Sequence, residues 1–187
     1  MSSESRDAEV RRLIDRAAIE DAIHAYAQGV DRGDWEAVRA TYHPDGFDDH
    51  GEYKGPVDGL IAWLEDRFAG LDNSMHFIGN CLIDFAGPAL ALAESYFVSR
   101  RFLPPDAGEA HLAGPEDAMC REAWGRYVDR FEKRDGVWRV AHRTVVVETK
   151  STSVARGGRR GAGVTTWGRR DGDDPLHRAR RAIFGAR

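Results

Sequence analysis

The hydrophobic period of this chain changes once, and that change constrains the fold class more than any other feature. From Ala8 to Asp31, Val10, Leu13, Ile14, Ala17, Ala18, Ala22, Ala25 and Tyr26 recur at three- and four-residue spacing, the period of an amphipathic helix. Gly33 reads as a helix stop, and Asp34 as the cap of a second short helix from Trp35 to Tyr42. His43-Pro44-Asp45-Gly46 reads as a turn and Phe47 to Tyr53 as a short strand. Pro56 opens a third helix carrying Ile61, Trp63, Leu64 and Phe68. Beyond Gly70 the period is two. Strands are expected at Met75–Phe85, Ala89–Phe102, Arg121–Glu132 and Val137–Glu148. Gly87-Pro88 joins the first two, and Pro104 to Asp117 forms a long loop between the middle two. Arg134-Asp135-Gly136 joins the last two as a tight hairpin. Helices followed by a meander predict an α+β fold, an antiparallel sheet with helices on one face.

A chain of 187 residues is expected to form one domain with room for a core and a pocket. Residues 1–7 are polar and expected to be disordered, 8–149 form the folded domain, and 150–187 form a basic tail, a lid or an oligomer contact. That tail carries ten Lys/Arg against three acids, a net +7, which leaves −11 on the rest of a chain whose total is −4. It is read as offsetting an acidic body, and nucleic acid is not the expected partner. Cys81 and Cys120 have no CxxC spacing, and Cys81 reads as a buried thiol. Without an apolar leader or a stretch of membrane-spanning length, a cytoplasmic protein is expected. No Gly-rich phosphate loop follows a strand, and no GxSxG occurs, so nucleotide chemistry is not indicated. In Met75–Phe85 both alternating faces are substantially apolar, which predicts burial of the second face against another subunit.

Six residues are candidates for a site. Asp31 ends the first helix, where the macrodipole disfavours an anion unless an imidazolium or hydrogen-bond donor offsets it. The alternative is a solvated Asp in a fraying turn. His76, in Ser74-Met75-His76-Phe77-Ile78-Gly79-Asn80, is either a core histidine or a general base oriented by Asp31. Asn80 is expected on its strand face. Tyr26 lies about 140° from Asp31 on a regular helix, so the two share a pocket only if the helix end is irregular, which Gly29 permits. Its hydroxyl would donate to an oxyanion; otherwise it is a core aromatic. Arg143 is a carboxylate or enolate binder if it points inward, and a surface or interface ion pair if not, with His142 on the opposite face. His50 is a pocket donor; Asp48-Asp49-His50 is not read as a metal site, because adjacent strand residues diverge. His24, His43, His111 and His177 read as surface residues, and Arg100 and Arg101 as straddling the two faces of the sheet.

At these residues the chain resembles the SnoaL-like branch of the nuclear transport factor 2-like superfamily, from about Arg12 to Glu148. Tyr26 through Gly29-Val30-Asp31, the segment Gly51 to Pro56, Met75-His76-Phe77-Ile78-Gly79, and Tyr127 through Phe131 to Trp138 carry the resemblance. They look most like scytalone dehydratase, lindane dehydrochlorinase and bile acid 7α-dehydratase. The resemblance implies a cone of curved antiparallel sheet, a half-barrel plugged by N-terminal helices. It also implies trimers packed through the sheet, with dimers the alternative. Asp31 and His76 match the base pair of those lyases, and Tyr26 a helix Tyr of the dehydratases. His50 falls near a pocket Tyr, and Arg143 near a last-strand Arg. A second pocket His is replaced here, with Arg101 nearby, which argues against scytalone as substrate. The implied activity is a cofactor-independent lyase of secondary metabolism, acting on a hydrophobic cyclic, polyketide- or steroid-like compound. An isomerase or cyclase using the same pair, and a non-catalytic binding or assembly module, are the alternatives.

Overall fold

The computed structural model describes residues 3–71, 73–103, 117–155 and 166–185. Helix α1 (Ser3–Arg32) is followed by α2 (Trp35–Ala40), β1 (Tyr42–Asp49), β2 (Lys54–Pro56) and α3 (Val57–Arg67). The meander β3 (Ser74–Phe85), β4 (Leu90–Phe102), β5 (Ala118–Arg134) and β6 (Val137–Ala155) comes next, then α4 (Pro175–Phe184). Most of the predicted 104–117 loop, His111 and the Gly/Arg-rich stretch 156–163 lie outside the described residues.

One curved, unclosed sheet has the order β2-β1-β6-β5-β4-β3. Its meander is antiparallel as the two-residue period predicts, and Asp135 and Gly136 turn the hairpin with φ of 52° and 79°. The sheet as a whole is mixed, because β1 runs parallel to β6. The predicted turn His43–Gly46 instead bulges within β1, between the pairs Tyr42↔Val140 and Phe47↔His142. The bulge buries His43, whose Nε2 meets the Glu132 carbonyl at 2.9 Å, so it is not a surface residue.

Helix α1 begins at Ser3, within the segment expected to be disordered. Its buried apolar residues, Ile19, Ile23, Tyr26, Ala27 and Val30, all lie in the second half; in the first, Val10, Leu13 and Ile14 are exposed and polar contacts such as Asp15 with Trp138 and Lys133 reach the sheet. Its C-terminus is a Schellman motif. Gly33 adopts φ +68°, its N–H donates to Val30 O, and the Asp34 N–H donates to Gly29 O at 2.9 Å. Asp34 then caps α2, its Oδ1 accepting from Ala37 N at 3.0 Å. Strand β6 runs to Ala155, past the predicted tail boundary at 150.

Bulges bend the sheet and reassign its faces. β3 and β4 pair as Ile78↔Phe97 and then Cys81↔Ser95, so β3 carries one extra residue. Before the bulge His76 and Ile78 are shielded; after it Cys81, Ile83 and Phe85 are. Asn80 is therefore turned to the outer face with Phe77, Tyr96 and Trp124, and does not share the face of His76 as strict alternation predicts. A second bulge sits at Gly125, where a Cβ would lie 2.3 Å from the Val146 carbonyl and 2.8 Å from the Phe97 ring. Glycine is required there by close approach.

Candidate active site

A cavity of about 350 Å³ lies between α1 and α3 on one side and the inner face of the sheet on the other. That volume suits a small ligand. Tyr26 and Val30 of α1, Trp63 and Leu64 of α3, and Phe97 and Tyr127 of the sheet supply its apolar walls. His76 and His50 both border it.

Asp31 and His76 meet across 45 residues of sequence. The Asp31 carboxylate accepts three hydrogen bonds: from Ser74 Oγ at 2.9 Å, from the His76 backbone N–H at 2.7 Å, and from His76 Nδ1 at 2.7 Å. With Nδ1 bound to a carboxylate, the tautomer assigned by the hydrogen bonding leaves Nε2 as the basic nitrogen. Helix α1 stays regular to Arg32, so Asp31 reaches the cavity through His76 and does not itself border it. Burial alone would raise the Asp31 carboxyl. The hydrogen bonds and charge of His76, with Ser74, outweigh it and hold the carboxyl below its ordinary value.

Because this folded-state value lies below the unfolded one, the pair's contribution to stability is fully present above the usual carboxylate pKa of about 3.9. It is lost as pH falls through the lower folded value. The stability gap between the wild type and Asp31→Asn, read as urea midpoints at pH 7, 4 and 3, is expected to narrow toward acid. A gap that stays constant or widens rules this out.

The tail completes the support of Asp31. Arg170 Nη1 donates to the Val30 carbonyl at 2.7 Å and the Asp31 carbonyl at 3.1 Å, satisfying the helix end, and its guanidinium lies over Trp35 and Phe68. Sequence reasoning did not identify Arg170, since nothing local marks which of ten basic tail residues docks.

A second carboxylate–imidazole pair was also missed. His50 Nδ1 lies 2.5 Å from Asp48 Oδ1, and the Tyr42 hydroxyl donates to Asp48 Oδ2 at 2.6 Å. Asp48 is fully buried, while His50 packs against Trp63 at the cavity wall. The signal was present: residues two apart on a strand share a face, so Asp48 and His50 converge while Asp49 diverges to Lys54. Among the described residues no three His, Cys, Asp or Glu side chains gather as a metal-holding group.

Arg143 points inward but does not line the cavity. It is fully buried and forks onto Asp129, with Nε and Nη2 at 2.7 and 2.6 Å. The Tyr26 and Tyr127 rings each lie 4.1 Å from its guanidinium carbon. It is an ion pair, but a buried one beneath the cavity floor and not at the surface. Burial opposes its charge, but Asp129 and Tyr42 outweigh that and keep the guanidinium protonated. Tyr26 borders the cavity and is 1% exposed; burial, with Tyr127 and Asp48, raises its hydroxyl well above the ordinary tyrosine value, so it keeps its proton. His142 faces away and stacks on Phe47 at 5.1 Å.

A curved, unclosed sheet plugged by helices, with a cavity bordered by two carboxylate-held histidines, defines an α+β cone fold. The sequence profile of the SnoaL-like domain matches residues 11–144, most of the chain, and the chain belongs to that family. No curated protein matches in sequence. Among solved structures, the chain is similar to a hexachlorocyclohexane dehydrochlorinase of type 2, with 17% identity and a TM-score of 0.69, over 83% of this chain and 99% of that one. It is also similar to a proposed scytalone dehydratase from Novosphingobium aromaticivorans, with 19% identity, a TM-score of 0.65 and coverage of 84% and 99%. A type 3 dehydrochlorinase from Novosphingobium barchaimii gives 17%, 0.66, and coverage of 85% and 98%. At these identities the likeness establishes the fold.

Proposed function

We propose that this protein is a cofactor-independent lyase that eliminates water or another β-leaving group from a cyclic carbonyl compound. One observation carries the reading: His76 borders a cavity with apolar walls while its Nδ1 is held 2.7 Å from a buried aspartate. Two of the similar structures are dehydrochlorinases and one is a proposed dehydratase, which supports elimination chemistry on this scaffold.

In this mechanism His76 Nε2 takes the proton on the carbon next to the carbonyl. The C–H electron pair moves into an enolate, and Asp31 stabilises the imidazolium that forms. Tyr26, which keeps its proton, suits donation to the enolate oxygen. Collapse of the enolate breaks the bond to the β-hydroxyl. His50, as an imidazolium held by Asp48, gives that oxygen the proton that makes water. Proton return from His76 to solvent, and from solvent to His50, closes the cycle. An isomerase would use the same base and return the proton to another carbon. A panel of cyclic β-hydroxy ketones, followed by enone absorbance and by α-proton exchange in deuterium oxide, tests the reading. Neither signal above background on any member of the panel overturns it.

The outer sheet face is the proposed self-association surface. Phe77 is 64% and Trp124 50% exposed there, beside Met75, Leu92 and Tyr96, an apolar patch of the kind that marks interfaces. We expect the protein to run as a trimer, or a dimer, in sedimentation, and Phe77→Glu/Trp124→Glu to run as a monomer. A wild type that sediments as a monomer overturns this. No helix among the described residues is long and apolar enough to cross a membrane.

A further inference from the structure

The cavity has two chemically different ends. Beside the apolar walls, Arg67, Arg101, Arg121 and Lys150 border it, with Glu52 as the lining carboxylate. Glu52 is already engaged: Arg67 Nη1 donates to it at 2.5 Å and Lys150 Nζ lies 3.8 Å away. Arg101 is different. Its guanidinium lies 5.2 Å over the Phe68 ring, and among the described residues no carboxylate comes within ion-pair distance of it. Burial, then the charges of Arg67 and Arg121, push it down to about 10, so at neutral pH it remains a cation whose surroundings disfavour its charge.

Sheet register places this cation relative to the base. Ser99 pairs with His76, and Arg101, two residues further along β4, pairs with Ser74. Two residues of strand span about 7 Å, roughly the width of one six-membered ring. Arg121 is directly opposite Arg101 on β5, and Thr152 opposite Arg121 on β6, so the next row of the inner face is cationic and hydroxylic.

We propose that this row is a subsite for an anionic oxygen group, with Arg101 as its principal cation, and that the ligand is a small ring compound bearing a carboxylate or a phosphate. This names the substrate class for the lyase reading and rests on that reading only for the word substrate. The planar fork of an arginine matches either group in a bidentate manner. A ring held between Phe97, Tyr127 and Trp63 would span from His76 to Arg101.

The experiment is calorimetric titration of the full chain with cyclohexanecarboxylate and cyclohexyl phosphate, each against the neutral cyclohexanecarboxamide. The wild type is expected to prefer one of the anions over the amide at least tenfold. Which anion wins separates carboxylate from phosphate ester. Arg101→Met is expected to bring the ratio near one while leaving amide affinity within about twofold. Arg101→Lys should keep part of the preference, which guards against simple misfolding of the methionine variant. His76→Gln is expected to keep the full preference, so failure of the catalytic reading leaves this one standing. Equal affinity for anions and amide in the wild type, or a preference that survives Arg101→Met, overturns the proposal.

Discussion

Replacing His76 with Gln is expected to lower kcat/KM on any accepted β-hydroxy ketone by about 10²–10⁴-fold, the usual contribution of a positioned general base. That is roughly 2.7–5.4 kcal/mol of transition-state stabilisation. Asp31→Asn should fall by a comparable factor. The amide offers Nδ1 either the wrong tautomeric partner or no charge to balance the imidazolium, although Ser74 and the His76 N–H still anchor the position. His50→Gln is expected to behave differently. α-Proton exchange persists, because His76 and Asp31 are untouched, while loss of hydroxide slows. A substrate with a leaving group that needs no proton, such as chloride, should recover most of the rate. The measurement is a pair of initial rates, enone formation and deuterium incorporation, for each variant. If His76→Gln exchanges the α-proton as fast as the wild type, His76 is not the base.

Cutting the buried Arg143–Asp129 pair is expected to have the largest effect on stability. Both side chains are fully buried, so Arg143→Met leaves the Asp129 carboxylate without its counter-charge in a low-dielectric floor. Breaking such a pair typically costs about 3–5 kcal/mol. For a chain of this size, about 2–4 °C of Tm accompanies each kcal/mol. A fall of about 6–20 °C in thermal unfolding followed by circular dichroism is therefore expected. The double variant Arg143→Met/Asp129→Leu removes both charges and should regain most of the loss. A drop of under 2 °C for the single variant would show that the pair is not what holds the floor. The same pair sits against the Tyr26 and Tyr127 rings, so loosening it is also expected to raise KM before it affects kcat.

The pattern of what the sequence revealed follows the range of the forces involved. Helix α1 was readable from its apolar period, its stop at Gly33 and its cap at Asp34, all of which act within a turn or two. The meander was readable from alternation and from Asp135-Gly136, whose positive φ values are a local property. Asp31 and His76 each had an ordinary alternative; helices packed on a sheet could bring them face to face, and the family resemblance matched them to a base pair. Asp48–His50 was readable from two-residue spacing and was missed because the carboxylates were weighed only as metal ligands and His50 only by itself as a pocket donor. Asn80 was misplaced because one extra residue in β3 inverts its side-chain parity, and a bulge is decided by the partner strand. His43 was taken for a surface residue because its turn-like context, Pro44-Asp45-Gly46, describes a bulge equally well.

The sequence by itself determined the helices, the meander, the hairpin and the identity of the groups able to move a proton, since periodicity, capping and side-chain chemistry are local. Only the tertiary structure decided which of those groups share a cavity. It brought His76 onto Asp31 across 45 residues and tied Arg170 of the tail to the end of α1. It also sank Arg143 beneath the floor and left Arg101 facing the cavity with no carboxylate at ion-pair distance among the described residues. The physical reason is that contact across a sheet depends on strand register and bulges, and on which helix covers which face. Those are settled by burial of the whole core, not by any one segment.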